Sequence, residues 1–131
     1  MPDARSGGVN RAVFDTFCAA LPATFMVVQW KGAHVWKVGR DEEGWQGRAK
    51  VFAIGTERDG FRFSFKPSQM LGEVLRGDRR VGPAPHLGRA GWLSAAGDGL
   101  SEHDACTWLE VSHETVAAGL TQRDRRTLGL L

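Results

Sequence analysis

The apolar positions change period along this chain, and each change marks an element. Val13, Phe14, Phe17, Cys18 and Leu21 recur at helical spacing. Asn10 supplies an N-cap and Pro22 a stop, so a helix is predicted over 10–21. Thr24 to Trp30 is β-branched and aromatic, which predicts a strand. Lys31-Gly32 turns the chain into Ala33 to Val38. There the pattern alternates, with Val35 on one face and His34, Trp36 and Val38 on the other. Lys50 to Gly55 reads as a third strand, and Asp59-Gly60 turns it into the strictly alternating Phe61 to Lys66. A four-stranded antiparallel meander follows, apolar on one face and polar on the other.

The second half returns to helical spacing. Pro67 suits a first helical turn, and Met70, Leu71, Val74 and Leu75 form a stripe over 67–76 that Gly77 ends. Arg76 to Gly82 is a basic loop. Pro83-Ala84-Pro85-His86-Leu87 cannot be helix, because proline lacks an N–H and drives its predecessor to extended geometry. This stiff loop ends at Trp92, which is expected to be buried and to anchor it on the helix layer. Gly91 to Ala96 reads as a short strand. Ser101-x-x-Asp104 caps a long helix over 101–119, lined by Ala105, Trp108, Leu109, Ser112, Thr115, Val116 and Gly119. Thr121-x-x-Asp124 opens a last, short, basic helix.

Between the second and third predicted strands lies Gly39 to Arg48, polar and glycine-rich, read as a mobile hairpin tip. Residues 1–9 read as a disordered tail, leaving one domain over 10–131. A chain of 131 residues with 42% apolar and 24% charged positions has the composition of an ordinary globular domain. No apolar run approaches the ~18 residues that span a bilayer, and the N-terminus lacks a signal peptide's apolar core. Cys18 and Cys106 fall on apolar helix faces and are expected to be buried free thiols, which suits the cytoplasm.

Several segments, taken in order, resemble the MmcQ/YjbR family. Ala20-Leu21-Pro22 is similar to the end of that family's opening helix. Trp36-Lys37-Val38-Gly39 followed by Lys50-Val51-Phe52-Ala53 resembles its hairpin, with Arg40 to Arg48 inserted. Phe63-Ser64-Phe65-Lys66-Pro67 is similar to its strand-to-helix junction, and Ser112-His113-Glu114-Thr115-Val116 with Leu120 resembles its C-terminal helix. The proline segment before Trp92 fits as well. This chain departs at Gly91, His113, Gly119 and Gln122. The resemblance implies an α+β fold of the CyaY-like, double-wing type: an antiparallel sheet with helices packed on one face. It also implies a non-enzymatic binding module, a family usually described as DNA-binding.

A net charge of +2 does not by itself indicate a polyanion partner, so the case rests on clustering. Arg76, Arg79, Arg80 and Arg89, with His86, surround one loop region. Arginine's planar fork suits phosphate, and Trp92, if exposed, offers a stacking surface for a base. Arg123, Arg125 and Arg126 in the last helix extend this candidate nucleic-acid set. The insert sets Asp41, Glu42 and Glu43 against Arg40 and Arg48, an acidic tip that phosphates disfavour. A rival reading is a protein-interaction or small-molecule adaptor presenting Trp36, Trp45 and Trp92. The four histidines lack zinc-ligand spacing, and helix 10–21 carries one acid, Asp15, too few for an iron ridge. Ser112-His113-Glu114 cannot form a relay, because neighbours on a helix point about 100° apart. Neither metal nor cofactor is expected.

Overall fold

The computed structural model describes residues 8–131. The first helix, α1 (Arg11–Ala19), starts where Asn10 Oδ1 accepts the Val13 N–H at 2.9 Å. The expected meander follows as β1 (Thr24–Gln29), β2 (Ala33–Val38), β3 (Lys50–Glu57) and β4 (Phe61–Phe65). A short helix α2 (Gln69–Val74) leads to β5 (Val81–Pro83) and β6 (Leu93–Ala96). Helices α3 (Glu102–Ala118) and α4 (Gln122–Thr127) complete the chain. Their caps are the predicted ones: Ser101 Oγ takes the Asp104 N–H and Thr121 Oγ1 takes that of Asp124, each at 3.0 Å.

The strands form one antiparallel six-stranded sheet in the order β1-β2-β3-β4-β6-β5. The meander is therefore four strands of six. Strand β5 arises where a basic loop is expected, because it borrows its ladder from β6. Pro83 is tolerated there because β5 is an edge strand. A bulge between β2 and β3 pairs Trp36 with Ala53 and Lys37 with Val51, so Phe52 is the extra residue. Both Phe52 and Ala53 then turn into the core.

That core lies between the sheet and the helices. Phe14 and Cys18 from α1 meet Trp36, Val38, Phe61, Phe63, Phe65 and Ala95 from the sheet, with Trp108, Leu109 and Val116 from α3. Gly55 lets α1 approach the sheet: a Cβ there would stand 2.6 Å from the Phe14 ring. Asp15 adds polar stitching from α1 to β2, accepting from Trp36 Nε1 at 2.8 Å and meeting His34 Nδ1 at 2.7 Å. Register places Val27, Val35, Ile54, Ser64, Ser94 and Gly82 in one row on the opposite, helix-free face.

Four expectations need correction. Residues 1–7 of the expected tail lie outside the described residues. Gly8 and Val9 do not form a tail, since Gly8 bridges Asp98 and Val9 is buried, donating to Gly97 O at 2.9 Å. A Cβ on Gly97 would fall 1.8 Å from Val9 O, so glycine is what admits this segment. The insert is held in place rather than loose. Trp45 is buried, and the Arg48 guanidinium lies over its ring at 4.2 Å. Arg48 Nη2 then donates to Asp124 Oδ1 on α4 at 2.6 Å, and Arg40 reaches Thr127 O at 3.3 Å. The stripe on α2 is only half used: Leu71 and Leu75 join the core, while Met70 and Val74 are exposed. Those two pairs lie on adjacent lines of the helix, and only one line faces the sheet. Cys18 is a buried free thiol as expected, but Cys106 is only half-buried.

Candidate nucleic-acid interface

The arginines predicted as one set fall in four places. Arg79 and Arg80 precede β5, and Arg89 sits in a 3₁₀ turn (Gly88–Ala90) after it. Val81 pairs with Ala95 and Pro83 with Leu93, so these groups lie beyond opposite ends of the short strand. Arg123, Arg125 and Arg126 are on α4, against the insert and away from Arg79. Arg76 is exposed and stands 3.8 Å from Glu73, which is also exposed.

Local chemistry separates them further. Arg80 is committed to structure. Its Nε and Nη2 donate to Asp78 at 3.1 and 2.8 Å, and its Nη1 to Asp104 Oδ2 at 2.7 Å. Its guanidinium lies 5.3 Å from the Trp108 ring centre. These contacts join the approach to β5 with the first turn of α3. Arg79, by contrast, is exposed and has no carboxylate partner among the described residues. Arg125 is half-buried, and its Nε has no hydrogen-bond partner. It lines a cleft of about 520 Å³ with Glu110, His113 and Glu114, two acids that disfavour a phosphate. Arg123, Arg126, Arg89 and His86 are exposed, His86 in the left-handed region at φ 65°.

Trp92 is buried, so it offers no face to a base. Leu93 and Ala95 belong to the helix-side core, and strand alternation puts Trp92 on the other face. The expected anchoring therefore holds, but on the helix-free face rather than on the helix layer. Ala84 N–H donates to Trp92 O at 3.0 Å and Trp92 N–H to Leu87 O at 3.2 Å, folding the proline loop round it. Trp36 and Trp45 are buried too, which removes the tryptophan surface of the adaptor reading.

One residue absent from the predicted set joins the site. Arg62, on β4, alternates onto the helix-free face and donates to Ser94 Oγ at 3.3 Å. With Arg79 and Arg80 it lines a cleft of about 400 Å³ bounded by Ala96, Asp98 and Leu100. By alternation the helix-free face of β1 to β4 and β6 presents Lys37 and Arg62 as its charges and no acid. Alternating strand polarity was the available signal, read as plain solvent exposure.

Two other constellations are spent on structure. Ser112 Oγ donates to Phe52 O at 2.6 Å and accepts the Lys66 N–H at 2.7 Å. The His113 ring meets Pro22 O at 2.8 Å. Among the described residues, no three His, Cys, Asp or Glu side chains gather as metal ligands. No helix in the same range is long and apolar enough to cross a membrane.

The ion pairs set a pH dependence. Hydrogen bonds from Arg80 hold Asp78 down at about 2 and also lower Asp104, and the bond from Arg48 lowers Asp124. A lowered carboxyl stabilises the fold above its unfolded value and ceases to as pH falls through its folded one. The melting temperature should therefore hold from neutral pH to about 5 and fall between about 4 and 2. Arg80→Gln should melt lower at neutral pH and lose less over that acid range. A parallel acid limb in both proteins would show that the Asp78–Arg80–Asp104 group does not carry it.

Three comparisons bear on kinship. The family model described as YjbR matches residues 19–115. The crystal structure of Deinococcus radiodurans protein DR2400, described as a DUF419 domain, superposes with a TM-score of 0.79. It is 24% identical and covers 93% of this chain and 89% of its own. No curated protein matches the chain. The six-stranded sheet with its helices on one face shares its fold with that neighbour, and with the family model spanning most of the described residues, the chain belongs to the YjbR family.

Proposed function

We propose that this domain is a non-enzymatic cytoplasmic module that binds a nucleic-acid backbone at the β4–β6–β5 end of its sheet. The observation that carries this reading is the cleft where Arg62 and Arg79, neither tied to a carboxylate, converge beside Arg80. Arg62 and Arg79 contact phosphate, while Arg80 braces the wall through Asp78 and Asp104. The Ser112 and His113 hydrogen bonds support the non-enzymatic part, because each group is already engaged by a main-chain carbonyl. The arginines on α4 and Arg89 lie outside this contact.

The test is a binding titration with duplex DNA over a series of salt concentrations. Each phosphate contact contributes about −0.9 to the log–log slope, so two give about −1.8, a weak and sequence-independent affinity. Replacing Arg62 and Arg79 together by glutamine should flatten the slope by about that amount, while Arg89→Gln leaves it unchanged. Absence of binding at ~50 mM salt with tens of micromolar protein would sink the proposal, since non-specific binders usually show dissociation constants of about 10⁻⁴–10⁻⁶ M.

A further inference from the structure

The two edges of the sheet are unlike. Strand β5 is three residues long and contains Pro83, so it is guarded against pairing. Strand β1 is Thr-Phe-Met-Val-Val-Gln, six residues with no charge, no proline and no bulge against β2. Next to its end stand the most exposed apolar side chains of this edge, Val28 at 60% and Trp30 at 65%. Trp30 is also the one tryptophan of the chain that is not buried.

The hydrogen-bond phase of this edge can be read from its neighbour. Gly39 N–H donates to Ala23 O at 2.9 Å, continuing the β1–β2 register. In an antiparallel pair, bonded and non-bonded positions alternate. Odd-numbered Phe25, Val27 and Gln29 therefore direct their backbone groups to β2. Even-numbered Thr24, Met26 and Val28 direct theirs outward, unpaired.

We infer that β1 pairs antiparallel with β1 of a second copy of this chain, extending the sheet across a two-fold axis. Opposed residues in such a pair must share a face, which limits the register. The register that also covers Trp30 sets Val27 opposite Val27 on the axis. Met26 then lies opposite Val28 and exchanges backbone hydrogen bonds with it, as the outward phase requires. Phe25 faces Gln29, and Trp30, in the turn that leaves β1 at a left-handed φ of 50°, stands beside the partner's Thr24. Thr24 to Gln29 carry no charge, so no like charges meet in the seam. Guarded β5 cannot accept β1, so the contact closes as a dimer instead of growing into a fibre.

Sedimentation equilibrium from about 1 µM to about 1 mM covers the affinity range of a small interface. The mass should rise from one chain to two over that range. Val28→Lys brings a charge into the seam, and Val28→Pro removes an outward N–H that no β2 bond uses. Each should hold the mass at one chain while far-ultraviolet circular dichroism stays as in the parent. Trp30 emission should shift to shorter wavelength with concentration in the parent alone. A parent that stays single at the top concentration overturns the inference and leaves this edge to an extended segment of another protein. Dimerisation of Val28→Lys as strong as the parent's also overturns it.

Discussion

Replacing Trp92 by alanine should cost about 3–5 kcal/mol of folding stability, a large share of the roughly 5–15 kcal/mol that holds a domain of this kind. The side chain is only 8% exposed, and its environment cannot collapse easily. The backbone around it is fixed by Ala84 N–H to Trp92 O and Trp92 N–H to Leu87 O, at 3.0 and 3.2 Å. Two prolines stiffen the covering loop, and His86 holds a left-handed φ of 65° that costs free energy in a non-glycine residue. That strain persists only while Trp92 over-determines the loop. Urea unfolding gives the loss directly, and Trp92→Phe should retain much of the parent's stability. Amide exchange should report the mechanism: residues 84–91 lose protection in Trp92→Ala before the core strands do. A loss under about 1 kcal/mol would mean that the loop is held from elsewhere.

This residue also shows where sequence reasoning succeeds and stops. The helix α1, the meander β1 to β4 and the caps of α3 and α4 were legible, because period and cap chemistry are local. Burial of Trp92 was legible from the stiff loop before it. Its face was not, since that depends on the phase of β6 against β4. Strand β5 carries too few residues to alternate, and its ladder comes from a partner about a dozen residues later. The insert reads as mobile from its glycines and acids. Its anchor, Arg48 to Asp124, spans 76 residues and leaves no local trace. The site divides the same way. Asp78 lies two residues from Arg80 and could have been seen as its partner, whereas Asp104 is 24 residues away. Arg62 was hidden because a charged residue on an alternating strand is ordinarily just the wet face.

Ser112→Ala should be the most damaging change of a small polar residue, at about 2–4 kcal/mol. Ser112 is fully buried and links three elements through one oxygen. Its hydroxyl donates to Phe52 O, the extra residue of the β2–β3 bulge, at 2.6 Å. The same oxygen accepts the N–H of Lys66, just beyond β4, at 2.7 Å. Alanine leaves a carbonyl and an N–H without a partner, and each unsatisfied buried group costs about 1–3 kcal/mol. Lys66 is half-buried, so water can reach its N–H, and the total falls in the lower half of the range, about 2–6 kcal/mol, that two such groups would cost. The carbonyl of Phe52 lies inside the core and has no such relief. An exposed serine supplies the control. Ser101→Ala removes the cap of α3, a loss of about 1 kcal/mol. Equilibrium unfolding of both variants should rank Ser112→Ala well above Ser101→Ala, with amide exchange at Lys66 rising only in the former. A reversed ranking would show that the bulge holds its place without the α3 hydroxyl.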